Sequence, residues 1–310
     1  MELPVWAWLS FLGLVTVMLA LDLGVFHRKA HVVKAREAGI WTMVWIALSL
    51  VFAGVVYFWL GSEPAVNFLT AYVLEKSLAI DNIFVFILIF SYFAVPPELQ
   101  HRVLAWGVIG AVLMRAAMIF LGVALIEKFG WILYIFGAFL LFTGIKMLFD
   151  KGDEEQDFNK NPVVRIARKV FHVSEEYDGE KFFTVKNGVR LATPLFLALI
   201  VIEVSDVVFA VDSIPAVFAV TTDPFIVFTS NILAILGLRS MYFLLAAVID
   251  RFIYLKYGLA LVLSYIGAKM LLVAFIDIPP ALSLIVVLGL LAGSVVASLI
   301  ATKRQERLNP

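Results

Sequence analysis

Nine long apolar stretches run through this 310-residue chain, and each is long enough to cross a membrane as a helix. A bilayer core of about 30 Å is spanned by about 20 mostly apolar residues in α-helical conformation. The runs are continuous and lack the period-two alternation of a membrane-spanning β-strand. We therefore predict an all-α polytopic membrane protein with about nine transmembrane helices. The predicted spans cover residues 5–26, 40–60, 65–93, 103–126, 131–149, 191–220, 225–248, 257–275 and 281–301.

Composition supports this prediction and excludes several classes of protein. Hydrophobic residues make up 63% of the chain, against roughly 45–50% in soluble domains. The 24 basic and 24 acidic residues cancel, so the overall charge indicates no nucleic-acid partner. The absence of cysteine excludes disulfides, thiolate metal sites and iron–sulfur clusters. We predict no prosthetic group, and the lipid bilayer is the partner that composition indicates; the oligomeric state is left open.

Lysine and arginine fall on alternate connections between the predicted spans, which sets the orientation by the positive-inside rule. The connections after the first, third, fifth and seventh spans, together with the carboxyl-terminal segment, carry 18 of these residues. The opposite side carries only Lys128. We therefore predict that the amino terminus lies outside the cytoplasm and the carboxyl terminus inside it.

The connection between the fifth and sixth spans, residues 150–190, is long and is predicted to be cytoplasmic. Residues 162–172 interleave apolar side chains with basic ones, which is typical of an amphipathic helix at a lipid surface. Further on, Asn187 and Gly188 separate two short β-prone runs and predict a hairpin. We interpret this segment as a connector between two halves of the protein, with regulation or partner binding as the alternative.

The two halves of the chain share an ordered pattern of polar residues. EKSLAIDNI at 75–83 corresponds to DVVFAVDSI at 206–214, and in both an acid is followed after five residues by Asp and then by Asn or Ser. The match continues through one arginine and one lysine-containing run in each half, at Arg115, Arg239, 144–148 and 267–271. We take these ordered matches as an internal repeat.

The repeat gives the chain its predicted organisation. Residues 65–149 form the first copy and residues 191–275 the second, within a single transmembrane transporter domain, 1–310. Each copy contains three spans, from the third to the fifth and from the sixth to the eighth. Because three is odd, the second copy crosses the membrane in the opposite direction to the first. Transporters with such inverted repeats bind their substrates near the bilayer midplane between the copies.

Eleven charged residues lie inside the predicted spans, where each costs about 2.5–3.5 kcal/mol at the centre of a helix. They must therefore face one another or water. We interpret one basic residue per helix as neutralising framework, namely Arg115, Lys146, Arg239 and Lys269. Lys76 is expected to point to a different side of its helix from Glu75. Packing alone does not explain why the acids concentrate on two spans. The candidate ligands for an ion are Asp22, Glu75, Asp81, Asn82, Glu203, Asp206, Asp212 and Ser213.

The spacing of the acids leaves two arrangements open. Asp81 follows Glu75 by six positions, and Asp212 follows Asp206 by the same spacing. In a regular helix that spacing places the two side chains about 120° apart and about 9 Å along the axis. One ion can bind both members of a pair only if the helix unwinds, which Pro215 favours in the sixth span. Alternatively, the ion takes one acid from each repeat, and the other acids form a second site or a relay.

Ligand chemistry limits the ion that such a site would select. All four histidines fall in predicted cytoplasmic connections, and without cysteine the spans offer mainly oxygen donors. Oxygen sites suit Mn²⁺, Mg²⁺ or Ca²⁺. Desolvated carboxylates also bind protons, so that a metal ion and protons would compete for the same groups.

The motifs at these positions resemble those of the TerC family of integral membrane proteins, and in particular its Alx branch. The resemblance covers nearly the whole chain and is carried by EKSLAIDNIFVF at 75–86, EVSDVVFAVDSIPAVFAVTTDPF at 203–225 and YIFGAFLLFTGIKML at 134–148. It implies an inverted-repeat transporter of the lysine-exporter superfamily that exports manganese across the bacterial inner membrane. It also implies older associations with alkaline response and tellurite resistance. The acidic positions of the family correspond to Glu75, Asp81, Glu203, Asp206 and Asp212.

The residues and the resemblance together predict a transporter that moves Mn²⁺ from the cytoplasm to the periplasm in exchange for protons, without enzymatic activity. Asp81 and Asp212 are expected to be the central ligands, with Glu75, Asp206 and Glu203 completing the site or adjusting its charge. The neutral oxygens are assigned to Asn82 and Ser213, and Asp22 to the ion pathway. Two alternatives remain: a passive divalent-cation channel, or a non-transporting stress-response or tellurite-resistance protein whose acids only lock helices together.

Overall fold

Helices, most of them long and apolar, make up most of the described residues in the computed structural model, together with one small β-hairpin. The structure describes residues 3–24, 35–149, 162–174, 176–186, 188–247, 254–273, 275–276 and 278–308. The helices are α1 (Val5–Gly24), α2 (Ala35–Leu60), α3 (Ser62–Tyr92), α4 (Pro97–Lys128), α5 (Ile132–Phe149), α6 (Pro162–Val170), α7 (Pro194–Phe218), α8 (Pro224–Leu236), α9 (Leu238–Ala246), α10 (Leu255–Leu272) and α11 (Pro280–Leu308). The hairpin consists of β1 (Phe183–Lys186) and β2 (Val189–Ala192).

Six of these helices are long and apolar enough to cross a membrane: α2, α4, α5, α7, α10 and α11. The helices α8 and α9 meet at an angle of 45° and would together form a seventh span. Two further predicted spans coincide with α1, whose segment Val5–Leu21 is a shorter apolar helix, and with α3. The helix α3 is 31 residues long but carries Glu75, Lys76 and Asp81 near its middle. The protein is an all-helical, multi-pass integral membrane protein.

The outer surface of the bundle carries many large apolar side chains. Phe58 is 88% exposed and Phe275 is 84% exposed, and similar side chains project from α1, α5 and α11. In water such a surface would drive aggregation. In a bilayer the lipid tails solvate this apolar surface, whereas polar groups are favoured in the interior of the bundle, where they can bond to one another.

The helix α8 lies at the centre of the bundle. Every residue from Phe225 to Leu236 is buried, so this helix has no face toward lipid or water. Both α3 and α4 pack against α8 and against α7. The polar side chains of these four helices are therefore brought together in the interior.

The helices α5 and α10 pack closely along their length because both carry glycines at the contact. A side chain at Gly267 would overlap the backbone of Leu141 and would lie 2.7 Å from the carbonyl oxygen of Gly137. A side chain at Gly144 would likewise lie 2.7 Å from the carbonyl oxygen of Ala260. Small residues allow membrane helices to approach at backbone distance, which is where van der Waals packing is strongest.

The structure does not show an unwound sixth span, which was one of the two arrangements that the spacing of the acids left open. The corresponding helix, α7, runs without interruption from Pro194 to Phe218. Pro215 falls in the last turn of α7, where the missing backbone N–H removes only one hydrogen bond and the helix is about to end. The interrupted helix lies elsewhere, at Gly237 between α8 and α9. The helix α3 is also continuous.

The predicted connector has the local structure that its sequence indicates. The amphipathic segment forms α6, and β1 pairs antiparallel with β2 through a turn in which Gly188 has a φ of 78°. Contacts with the end of α3 and with α4 hold the connector in place. The hydroxyl of Tyr177 donates to the carbonyl oxygen of Phe93 at 2.6 Å, and Arg102 of α4 pairs with Glu180 at 2.8 Å. Residues 150–161, 175 and 187 lie outside the described residues.

Candidate cation site

Three charged side chains from three different helices meet in the core. Glu75 of α3, Arg115 of α4 and Asp206 of α7 are 1%, 3% and 2% exposed. The Nη1 atom of Arg115 lies 2.6 Å from Oε2 of Glu75. Its Nε and Nη2 atoms each lie 3.0 Å from a different carboxylate oxygen of Asp206. One guanidinium therefore bridges two carboxylates at a depth where charges must be paired.

Two buried amides complete the hydrogen bonding of these acids. Asn82 donates to Oδ1 of Asp206 at 3.2 Å, and Asn231 of α8 donates to Oε1 of Glu75 at 2.6 Å. All four carboxylate oxygens thus accept at least one hydrogen bond. This charged cluster, formed by Glu75, Arg115 and Asp206, offers no unbonded carboxylate oxygen to an ion in this conformation.

Helix geometry explains why these residues face the interior together. Asn82 follows Glu75 by seven residues, and Ser213 follows Asp206 by seven, so that each pair lies on one face of its helix two turns apart. Ser213 is 2% exposed, lies close to the Glu75 carboxylate, and its hydroxyl makes no hydrogen bond within the described part of the chain.

Asp81 and Asp212 form a second acidic pair beside the charged cluster. Each precedes Asn82 or Ser213 by one residue and so projects about 100° away from the charged cluster. Both side chains are partly buried, and they lie close enough to each other for their charges to repel. Lys256 of α10 lies close enough to attract Asp81. Neither aspartate makes a hydrogen bond or ion pair with the residues that the structure describes.

Glu203 lies one helical turn before Asp206 on α7, within the range of its charge. Its carboxylate packs directly against α4 at Gly110, where a side chain of any size would overlap it. The Oε2 atom of Glu203 is buried and has no hydrogen-bond partner among the described residues. Glu203 is therefore a partly buried acid with one buried oxygen that is unsatisfied among the described residues.

A small cavity adjoins the charged cluster. It offers about 10 Å³ to the centre of a water molecule and is lined by Asp206, Arg239, Gly107 and Ala111, among others. A space of this size holds about one water. Arg239, the second arginine of the core, lines this cavity together with Asp206, and the rest of the lining is mainly apolar.

The sequence-predicted residues therefore come together in pairs and not as one cage. Among the described residues, no group of three or more Asp, Glu or His side chains is arranged to hold a metal ion. Arg115 bridges Glu75 of α3 to Asp206 of α7, and Asp81 of α3 lies near Asp212 of α7. Asp22 belongs to α1, but its side chain lies outside the described residues.

Two contributions to this region were not predicted from the sequence. Asn231 was not singled out, because one asparagine in an apolar helix gives no indication of its partner on another helix. Arg115 was expected to neutralise the framework, and it does so, but its simultaneous contact with Glu75 and Asp206 was not foreseen. The seven-residue spacing from Glu75 to Asn82 and from Asp206 to Ser213 could have indicated which polar residues share a face.

The fold and the site together define a multi-pass membrane protein with a charged, hydrogen-bonded interior. A model of the integral membrane protein TerC family matches residues 60–306, and the chain belongs to this family. The chain is 53% identical over 296 residues to an uncharacterized membrane protein of Myxococcus xanthus, covering 96% of this chain and 92% of that one.

Other relatives carry a more specific name. The chain is 54% identical over 293 residues to "Putative membrane-bound redox modulator Alx" of Escherichia coli K12, covering 92% of this chain and 91% of that protein. It is 40% identical over 294 residues to an uncharacterized membrane protein of Rickettsia bellii, covering 95% and 97% of the two chains. No solved structure matches this chain significantly.

Proposed function

We propose that this protein exports divalent manganese from the cytoplasm in exchange for protons, with Asp81 and Asp212 as the central ligands. The observation that carries this proposal is the contrast between the two acidic pairs. Glu75 and Asp206 have every carboxylate oxygen hydrogen-bonded, whereas Asp81 and Asp212 lie near each other without a hydrogen bond or ion pair among the described residues. Lys256 attracts Asp81 from α10, but neither aspartate is held by a hydrogen bond among the described residues, and two neighbouring carboxylates that repel each other favour binding of a cation.

The remaining candidate residues would support this pair. Asn82 and Ser213 follow the two aspartates in sequence but face the charged cluster, and on that side of the site they would contribute neutral oxygens, which hard divalent ions accept alongside carboxylates. Glu75 and Asp206, held by Arg115, would flank the site, and Glu203 would adjust its charge. Asp22 would lie on the cytoplasmic part of the pathway. Manganese in place of magnesium or calcium rests on the likeness to the TerC family.

The arrangement of helices supports an inverted repeat of two three-span copies, α3–α5 against α7–α10, within a protein of nine spans. In such a repeat α3 corresponds to α7, α4 to α8 with α9, and α5 to α10. The contact of α3 with α8 would then correspond to that of α7 with α4, and α5 would meet its own counterpart α10. Acids paired between α3 and α7 fit a site between the two copies.

The distribution of basic residues sets the orientation of the proposed exporter in the membrane. With the basic connections in the cytoplasm, the amino terminus is periplasmic and the carboxyl terminus cytoplasmic in a bacterial inner membrane. The Alx relatives are named for redox modulation. Because this chain contains no cysteine, such a role would act through a transported redox-active ion and not through thiols of the protein.

Transport into proteoliposomes tests the proposal. Purified protein is reconstituted, and uptake of Mn²⁺, Mg²⁺ and Ca²⁺ is measured at two proton gradients. We expect saturable uptake of Mn²⁺ that increases with the opposing proton gradient. Asp81→Asn and Asp212→Asn should each lower it at least about tenfold, the effect of losing roughly 1.4 kcal/mol of binding. The matched control is Glu180→Gln, an acid of the connector that pairs with Arg102.

Other outcomes would identify the alternatives. Non-saturating conductance that does not depend on the proton gradient would identify a passive divalent-cation channel. Uptake no greater than that of empty liposomes would favour a non-transporting stress-response protein. In such a protein the fully hydrogen-bonded charged cluster would serve only to hold the helices together. Unchanged uptake by both aspartate variants would remove the site assignment.

A further inference from the structure

The interrupted helix at Gly237 lies in the middle of the bundle and not at its surface. Residues on both sides of the interruption are buried, from Phe225 to Leu236 in α8 and from Leu238 to Tyr242 in α9. The last four carbonyl groups of a helix have no partner within that helix. At the end of α8 these carbonyls carry the negative end of the helix dipole into a region without bulk water.

The side chain of Lys76 ends at this interruption. Its ammonium group donates a hydrogen bond of 2.8 Å to the carbonyl oxygen of Ala234, in the last turn of α8. The group is seated so closely that a side chain at Gly237 would lie 2.7 Å from Nζ of Lys76 and 3.1 Å from Cβ of Trp45. The ring of Tyr72 faces the ammonium from a centroid distance of 5.9 Å.

No carboxylate of the described residues pairs with this ammonium. Glu75 is adjacent in sequence, but it projects to another side of α3 and is bonded to Arg115 and Asn231. The partners of Lys76 that the structure describes are thus a helix-terminal carbonyl and an aromatic face. Carbonyl oxygens at the carboxyl ends of broken helices are the groups with which several transporter folds coordinate a coupling cation.

We propose that the interruption at Gly237 is a binding site for a monovalent cation, which in this chain is filled permanently by the ammonium group of Lys76. The tethered ammonium takes the place of a free sodium, potassium or ammonium ion. It stabilises the end of α8 by the same charge–dipole attraction, and it makes the protein independent of dissolved monovalent cations.

The same contacts connect this second site to the charged cluster. Adjacent residues of α3 hold α8 at two points, since Glu75 bonds to Asn231 and Lys76 to Ala234. Any rotation of α8 about the interruption must change both bonds together. Lys76 is thus a positioning residue for the charged cluster as well as the occupant of the second site.

Removal of the tethered ammonium tests the inference, because it should leave a hole that a small cation can enter. Lys76→Ala is purified in detergent, and its melting temperature is measured in chlorides of potassium, methylammonium and N-methylglucamine at equal ionic strength. At salt well above the dissociation constant, we expect potassium or methylammonium to raise it by about 3 °C over N-methylglucamine. The wild-type protein should show no difference, because its site is already occupied.

Two further variants keep the test decisive. Lys269→Ala is the matched control, since its ammonium bonds to the hydroxyl of Ser283 at 2.9 Å and not to the end of an interrupted helix; it should show no selective response. In Lys76→Gln the amide can still donate to the carbonyl oxygen of Ala234, and the side chain fills the space that the ammonium group occupies. This variant should therefore fold, and its melting temperature should not depend on the cation. A Lys76→Ala protein that can be recovered only in a small cation supports the inference.

Two results would overturn it. One is a folded Lys76→Ala protein that melts at the same temperature in all three salts. The other is a Lys76→Ala protein that cannot be recovered in any salt while Lys76→Gln is as stable as the wild type, because the side chain would then be needed for packing and not for its charge. Since melting is measured without transport, failure of this inference is separate from failure of the proposed export activity.

Discussion

Arg115 and Asp206 are joined by two parallel hydrogen bonds of 3.0 Å, from Nε and Nη2 to the two carboxylate oxygens. Such a bidentate pair is among the strongest charge-assisted contacts in proteins. Here it is buried, and the remaining Nη1 group is bonded to Glu75. The pairing links α4 to α7 and to α3, so that the three helices share one polar contact.

Loss of the arginine should therefore weaken the fold strongly. In Arg115→Met two buried carboxylates lose their cation, and breaking such a buried pair is expected to lower stability by about 3–5 kcal/mol. The measurement is the melting temperature in detergent. Arg102→Met is the control, because Arg102 and Glu180 are 37% and 40% exposed, and a pair of that kind contributes about 0–1 kcal/mol. Equal melting of the two variants would contradict the central role of Arg115.

The two acidic pairs should respond differently to removal of one charge. Asp206→Asn disrupts the bidentate contact with Arg115 and should destabilise the protein by roughly 1–3 kcal/mol. Asp81→Asn breaks no hydrogen bond that the structure describes. Its free energy of unfolding should therefore lie within about 0.5 kcal/mol of that of the wild type. The two melting curves, measured side by side, check this. A large loss of stability in Asp81→Asn would mean that Asp81 is a structural acid and not an available ligand.

The sequence predicted the parts of this site that depend on local patterns, but not those that depend on contacts between helices distant in sequence. The acids on α3 and α7 were predicted because charge in an apolar helix is costly and visible in the sequence. The acids of α3 approach those of α7, so an ion bound between the helices would take one acid from each repeat; that arrangement stays a prediction. The partner Asn231 and the seat of Lys76 depend on which helices are neighbours, and a local pattern does not contain that information.

The position of the helix interruption shows the same limit. Pro215 favoured an unwound α7 as one of two open arrangements, since proline lacks a backbone donor. A proline in the last turn removes a bond from a helix that already ends at Phe218. The interruption occurs at Gly237, where Lys76 and Trp45 approach too closely for any side chain. That requirement comes from tertiary packing, which the local sequence does not reveal.

Close packing of α5 and α10 should depend on Gly267. A methyl group there would overlap the backbone of Leu141, and backbone cannot turn aside as a flexible side chain can. Gly267→Ala should force the helices apart and destabilise the protein by about 1–3 kcal/mol. Gly293→Ala on α11 is the matched control, because nothing lies within 4 Å of its added methyl group. Equal melting temperatures for the two variants would contradict the contact.

The hairpin of the connector should lose stability in acid because of Asp178. Its Oδ2 atom accepts hydrogen bonds from Thr184 of β1 at 2.8 Å and from Lys181 at 3.1 Å. These bonds, that of Thr184 first, lower the pKa of Asp178 below its ordinary value of 3.8. A hydrogen bond from Lys186 similarly lowers the pKa of Glu176 below 4.5.

The sign of the effect follows from the direction of these shifts. A carboxylate whose pKa is lower in the folded state stabilises that state above its unfolded pKa, and the contribution disappears as the pH falls through the folded value. Amide exchange in β1 and β2, corrected for the intrinsic rate, should therefore show less protection at pH 3 than at pH 6, since about pH 4 marks the unfolded carboxyl pKa. The double variant Asp178→Asn, Glu176→Gln should lack this difference. An equal loss of protection in the double variant and the wild type would show that other groups control the acid response of the hairpin.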